Sequence, residues 1–150
     1  MFSMRSSQRF TVFASARKLH NVHDVSLKGI DVLQLDVTHA SSVQTAVDWV
    51  VSEAGGIDLL VCNAGLIRYV PIIEQELSCV KAVFDTNVFG TLLCARAVAS
   101  VMINQRSGVI AVSSSISASL KFKSKQVHHL SFDVKTLLQP SMLTLPTRDV

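Results

Sequence analysis

Short apolar runs alternate with amphipathic stretches along most of the chain. Thr11, Val12, Phe13, Ala14 and Ser15 form a β-prone run. Asp31, Val32, Leu33, Gln34 and Leu35 alternate toward a second strand, with Lys28 and Gly29 as punctuation before it. Thr38 is expected to cap a helix carrying Val43, Val47, Val50, Val51 and Ala54 on one face, which Gly55 and Gly56 stop. Residues 57–62 are nearly all apolar, as expected of a parallel strand covered on both faces. Helix-compatible sequence fills residues 75–105, expected as more than one helix, and residues 109–112 read as another buried strand. Strands separated by helical patterns predict βαβ units in a layered α/β domain.

Beyond about Ser117 the pattern changes. Residues 120–125 alternate with lysines, His128 and His129 follow, and Pro140 and Pro146 stand among scattered leucines. Neither period extends far, so residues 118–150 are expected to be a divergent, poorly ordered tail after a domain over residues 1–117. Charge divides at the same place. Residues 1–117 hold nine Lys/Arg and nine Asp/Glu, while residues 118–150 hold five and two, so the net +3 belongs to the tail.

Composition narrows the class. A chain of 150 residues with 49% hydrophobic and 17% charged residues has single-domain length and globular character. Mean hydropathy is +0.40, which raises the question of a membrane. The longest stretch without Asp, Glu, Lys or Arg is the 14 residues from Ser107 to Leu120, short of the ~20 a spanning helix needs. No transmembrane segment is expected. Arg5, Arg9, Arg17 and Lys18 interrupt any signal-peptide core. Cys62, Cys79 and Cys94 are odd in number and set in apolar runs, so they read as buried reduced thiols of an intracellular protein. Basic residues do not interleave with the scarce aromatics, which removes support for nucleic-acid binding. No metal-ligating set is read.

In a doubly wound α/β domain, ligands bind beyond the carboxyl ends of the strands. The first strand runs into Arg17 and Lys18, basic groups able to accommodate a ribose 2′-phosphate, or simply exposed charges after a strand. The second runs into Asp36, Val37 and Thr38. A carboxylate there would accept from an adenine amino group or help cap the helix. The third runs into Asn63, Ala64 and Gly65, where small residues allow close approach to the backbone. The last ends in Ser113, Ser114 and Ser115, hydroxyls placed to polarise a carbonyl or to shape a turn.

Taken together, these strand ends resemble the classical short-chain dehydrogenase/reductase family over about residues 8–117. Val12-Phe13-Ala14-Ser15-Ala16-Arg17 is similar to that family's second strand, and Leu35-Asp36-Val37-Thr38 to its adenine-side motif. Asp58-Leu59-Leu60-Val61-Cys62-Asn63-Ala64-Gly65 resembles its Asn-Asn-Ala-Gly motif, with Cys62 in place of the first Asn. Asp85-Thr86-Asn87-Val88-Phe89-Gly90 carries the mid-helix Asn, and residues 108–115 resemble the strand leading to the catalytic Ser. The segments 12–18 and 84–90 are similar to the NADPH-dependent group that includes 1-acyldihydroxyacetone-phosphate reductases. The resemblance implies a partial Rossmann-type sheet and hydride transfer between NADP(H) and a small carbonyl or alcohol, lipid-like ones included. It assigns Arg17, Lys18, Asp36, Val37, Asn63, Ala64 and Gly65 to the cofactor. Asn87 would support the proton relay, and Ser115, or Ser114 with an alignment shifted by one, would hydrogen-bond the substrate oxygen.

Two family features are missing. No glycine precedes Gly29, so the Gly-rich turn that holds the pyrophosphate has no counterpart, and the family's first strand is absent with it. The family's Tyr, followed four residues later by a Lys, should stand about thirteen residues after the Ser. Gln126, Val127 and His128 occupy those positions, and Tyr69 is the only tyrosine. The expectation is a fold truncated at both ends, unable to catalyse as this chain, and marginally stable. The alternatives are a non-catalytic module pairing through residues 75–105 with a full-length relative, as a homo- or hetero-oligomer, or the product of a faulty or truncated gene. The compartment stays open between the cytoplasm and the cytoplasmic face of a membrane or lipid droplet.

Overall fold

The computed structural model describes residues 10–22, 29–68, 70, 72–113 and 143–144. Four strands in two parallel pairs carry it. β1 (Phe13–Ala16) pairs in parallel with β2 (Asp31–Gln34), Phe13 opposite Asp31. β3 (Leu59–Cys62) pairs in parallel with β4 (Val109–Val112), Leu59 opposite Val109. β5 (Leu143–Thr144) lies antiparallel on the other edge of β4. The expected strands are therefore present, with boundaries moved by one or two residues, in an α/β arrangement. Among the described residues β1 and β3 do not pair with each other, so the strands form two sheets. The rest of the expected tail, and the serines 114 and 115, lie outside the described residues.

α1 (Ala40–Ala54) connects β2 to β3. Its entry differs from the expectation. His39 occupies the cap position with extended backbone (φ −118°, ψ 115°) and makes no side-chain cap bond. Thr38 does not cap, because its hydroxyl donates instead to the Asp36 carboxylate. The exit is as expected: Gly55 turns left-handed (φ 79°), a conformation glycine adopts without steric cost, and its N–H donates to the Val51 carbonyl at 2.8 Å.

Residues 77–105 form one rod, not separate helices. α2 (Leu77–Phe84) passes through a π-helical turn (Asp85–Gly90) directly into α3 (Thr91–Gln105). By length and composition alone this rod would suffice to cross a membrane. Within the fold, its Val83, Cys94, Val98 and Met102 are buried.

The core lies between the strands and a single helical layer. Val43, Cys62 and Cys94 pack with Leu35, Val37, Leu60 and Val112. Val47, Val98 and Met102 pack with Ile57, Leu60 and Ile110. Both α1 and α3 therefore cover the same sheet face. Side chains alternate along a strand, so Leu60 and Cys62 point into this layer and their neighbours point away. Leu59 is 58% exposed and Val61 56%. The expectation that residues 57–62 are covered on both faces is thus corrected: among the described residues nothing covers the second face. None of the three cysteines is in a disulfide among the described residues; Cys62 and Cys94 are buried, whereas Cys79 is half-buried and not fully inside. Burial, with Cys62 nearby, pushes the Cys94 thiol up to about 11, so it stays protonated and unreactive.

One-sided cover and two short sheets limit stability, since each fully buried aliphatic side chain contributes only about 1.5–3 kcal/mol. We expect the chain to unfold thermally below ~60 °C, toward or under the usual mesophile range. Met102 is 1% exposed. Met102→Ala should cost about 2–5 kcal/mol, enough to remove the cooperative transition in a circular-dichroism melt. A wild-type midpoint above ~60 °C, or a variant that melts like it, would contradict this account.

Candidate functional site

Because β1, β2, β3 and β4 run parallel within their pairs, each sheet gathers its carboxyl ends on one side. β1 ends at Arg17 and Lys18, both exposed. The Gln34 side chain donates from Nε2 to the Arg17 carbonyl at 3.2 Å, tying the end of β2 to that of β1.

Asp36, two residues beyond β2, is held by the turn it makes. Its Oδ1 accepts the Thr38 N–H at 3.0 Å and the Thr38 hydroxyl at 2.7 Å. Its own N–H donates to Ser42 Oγ at 3.0 Å. Oδ2 stands 3.6 Å from His39 Nδ1 and is otherwise directed to a partly open surface. The Thr38 hydroxyl bond, above all, holds the Asp36 carboxyl below its ordinary value against the opposing effect of burial. The Thr38 N–H, His39 and Arg17 add to the lowering. Of the two roles left open for Asp36, capping of α1 is not what its carboxylate does, since Oδ1 is bonded to Thr38 ahead of the helix and the cap residue His39 has no side-chain cap bond. Val37 packs against the π-turn, where a Cβ on Gly90 would come within 2.7 Å of Val37 Cγ2. A glycine there allows this close approach.

Asn63, Ala64 and Gly65 follow β3 and are exposed. The Ser113 N–H donates to the Cys62 carbonyl at 3.0 Å, so the serine run starts beside the residue preceding Asn63. Ser114 and Ser115 themselves lie outside the described residues.

Asn87 is only 3% exposed. Its Oδ1 accepts the Leu66 N–H at 2.7 Å, and its Nδ2 donates to the Leu66 carbonyl at 2.9 Å. The Thr91 hydroxyl donates to the Asn87 carbonyl at 2.9 Å. The side chain is thus committed to holding the segment after Gly65.

A matching clamp went unread in the sequence. Gln105 Oε1 accepts the Ile57 N–H at 2.9 Å, and Nε2 donates to the Ile57 carbonyl at 3.1 Å. The only local signal was a carboxamide ending an otherwise apolar helix.

Two outcomes follow from this geometry. Asn87→Ala leaves both polar groups of Leu66 without their side-chain partner, at a cost of about 1–3 kcal/mol. Faster hydrogen exchange at Leu66, with α1 unchanged, checks that the clamp acts locally. Asp36 has a lowered folded-state pKa, so it contributes stability above its unfolded value of 3.8, lost as pH falls through the folded value. Asp36→Asn should flatten the acid limb of a stability-against-pH curve below about pH 4. An unchanged limb would remove the assigned role.

Comparison with known proteins agrees with these strand ends. The family description "short chain dehydrogenase" matches residues 7–130. Short-chain dehydrogenase cctT of Talaromyces islandicus is 29% identical over 144 residues, covering 95% of this chain and 50% of that protein. Estradiol 17-beta-dehydrogenase 1 of Rattus norvegicus is 31% identical over 150 residues, covering 93% and 43%. Among solved structures, a gluconate 5-dehydrogenase from Burkholderia cenocepacia in complex with NADP and tartrate superposes with a TM-score of 0.65. It is 27% identical over 75% of this chain and 46% of its own. The chain spans about half the length of the curated relatives it matches. With parallel strands, strand-end residues and matches in agreement, the chain belongs to the short-chain dehydrogenase family.

Proposed function

We propose that this chain supplies the adenosine-binding side of an NADP(H)-linked short-chain oxidoreductase fold, and that it does not by itself turn over a carbonyl or alcohol. The observation that carries the reading is the set of groups at the strand ends: Arg17 and Lys18 after β1, Asp36 after β2, and Asn63, Ala64 and Gly65 after β3. Arg17 also lies near enough to Asp36 to favour its charged form.

The residues present fit one end of the cofactor and not the middle. Arg17 and Lys18 offer exposed cations for a 2′-phosphate. Asp36 Oδ2 is not consumed by the Thr38 bonds and can accept from an adenine amino group. Asn63, Ala64 and Gly65 allow close approach of a flat ligand. For the pyrophosphate, no glycine precedes Gly29, so the family's cradle of backbone N–H groups has no counterpart here. When bound, NADP(H) would supply or accept hydride.

The proton chemistry is incomplete. Ser115 or Ser114 would polarise the substrate oxygen, but the tyrosine that exchanges the proton has no equivalent at Gln126, Val127 or His128. A small carbonyl or alcohol, lipid-like ones included, is the substrate class of the complete fold. The narrower likeness to 1-acyldihydroxyacetone-phosphate reductases rests on residues 12–18 and 84–90. A second reading, pairing with another chain through the rod, is favoured by exposed Phe89, Leu92 and Ile103.

Titration with 2′-phospho-ADP and with ADP separates these statements. The 2′-phosphorylated nucleotide should bind at least about tenfold tighter, and Arg17→Ala should erase that preference, as expected for one charge-assisted bond of about 1.5–3 kcal/mol. Equal binding of the two nucleotides would defeat the cofactor assignment. Carbonyl-dependent NADPH oxidation by the purified chain, lost on joint Ser114→Ala and Ser115→Ala substitution, would overturn the inactivity.

A further inference from the structure

We infer that Gln34 is a positioning residue that sets the preference for a 2′-phosphorylated nucleotide, acting through the peptide that joins Arg17 to Lys18. The inference rests on the nucleotide reading proposed above and adds a residue to it. The first observation is a tether. β1 makes its last ladder bond where the Ala16 carbonyl accepts the Leu35 N–H at 3.0 Å. Beyond it the backbone leaves the strand and enters a 3₁₀ turn (Leu19–Val22). Arg17 and Lys18 form the bend between the two. There the Gln34 side chain donates from Nε2 to the Arg17 carbonyl at 3.2 Å. A side chain of β2 thus carries the hold on β1 one peptide further than the ladder does.

The second observation is the geometry of that peptide. The Arg17 carbonyl, the Lys18 N–H and the two Cα atoms share one rigid plane. Holding the oxygen restrains the plane, and with it the directions in which both basic side chains leave the backbone. A cation fixed at its base gives up less freedom on meeting a phosphate than one carried on an untethered bend.

The third observation is where the charges stand. Arg17 and Lys18 are both exposed. Arg17 lies near enough to Asp36 for their charges to attract. Yet Asp36 bonds Thr38 through Oδ1 and faces His39 with Oδ2, and among the described residues no ion pair joins it to Arg17. The guanidinium is therefore kept beside a carboxylate without being neutralised by it. An uncharged carboxamide suits this task. A cationic side chain in its place would itself compete for the phosphate, and an anionic one would draw Arg17 away from it.

Binding of 2′-phospho-ADP and of ADP to the full 150-residue chain, with and without Gln34→Met, tests this. Methionine keeps the length of the side chain and removes the donor. The variant should bind 2′-phospho-ADP about threefold more weakly, as the loss of one solvent-facing hydrogen bond allows. Its affinity for ADP and its melting transition should stay those of the wild type. Gln34→Asn, one methylene short of the carbonyl, should act alike and serves if the methionine variant does not fold. The NMR order parameter of the Lys18 amide should fall in both variants, while that of Leu35 in the ladder holds. In an Arg17→Ala background, Gln34→Met should change neither affinity. An undiminished preference for 2′-phospho-ADP overturns the inference and leaves the nucleotide reading standing. Equal weakening of both nucleotides reduces Gln34 to a structural tie, and a change in the Arg17→Ala background means that it acts by another route; either result overturns the inference. A wild-type chain that binds the two nucleotides equally removes the nucleotide reading, and this inference with it.

Discussion

The structure depends on two carboxamides that fix one strand against one helical rod. Asn87 holds both polar groups of Leu66, and Gln105 holds both polar groups of Ile57. Ile57 and Leu66 bracket β3 on either side. Eighteen residues of helix from Asn87 to Gln105 rise about 27 Å. Nine extended residues from Ile57 to Leu66 span about 30 Å. The two lengths agree, so the rod lies antiparallel along β3 with a polar clamp at each end and an apolar seam of Cys94, Val98 and Met102 between. Apolar packing alone allows sliding by a residue or a turn. Paired hydrogen bonds at both ends do not, because a slip would leave a peptide group and a carboxamide unsatisfied together.

That fixed register sets where the residues after β3 stand. Asn63, Ala64 and Gly65 lie between the strand and Leu66, and the Asn87 clamp limits how far this segment can drift. The π-turn serves the same end. Thr91 bonds the Asn87 carbonyl there, and Gly90 lets Val37 approach. Residues read at the sequence level as separate motifs, Asp36-Val37-Thr38 and Asp85-to-Gly90, therefore meet in space. Their spacing in sequence carries no trace of that contact.

What was legible in the sequence was local. Alternation and apolar runs placed β1, β2, β3 and β4, and the glycine pair ended α1, because these signals act within a few residues. The positions of the strand-end candidates were legible for the same reason, since Arg17 and residues 63–65 directly follow a strand and Asp36 stands two residues beyond one. The misses were relational. Thr38 looked like a helix cap because hydroxyls commonly serve there, yet Asp36 two residues earlier competes for the same hydroxyl and takes it. Residues 57–62 looked doubly covered because an apolar run records capacity for burial, not the presence of a covering element. The helical stretch was expected as more than one helix, yet the Asp85–Gly90 segment continues it as a π-turn. That turn interrupts the regular α-helix without breaking the rod.

The same distinction separates binding from chemistry at the strand ends. Groups that recognise an adenosine phosphate can sit on individual strand termini, each positioned by its own ladder, so a fold with two unjoined sheets still presents them. Proton transfer asks for more. A serine hydroxyl, a phenol and an ammonium must converge on one oxygen to within a hydrogen bond, and that convergence needs several elements held together at once. The candidate recognition groups follow β1, β2 and β3, and the Asn87 and Gln105 clamps fix the ends of the last of these. The proton-transfer groups would have to come from beyond Ser113, where the sequence offers Gln126, Val127 and His128 instead of a tyrosine. Groups placed strand by strand are thus less demanding to position than groups that must converge between strands.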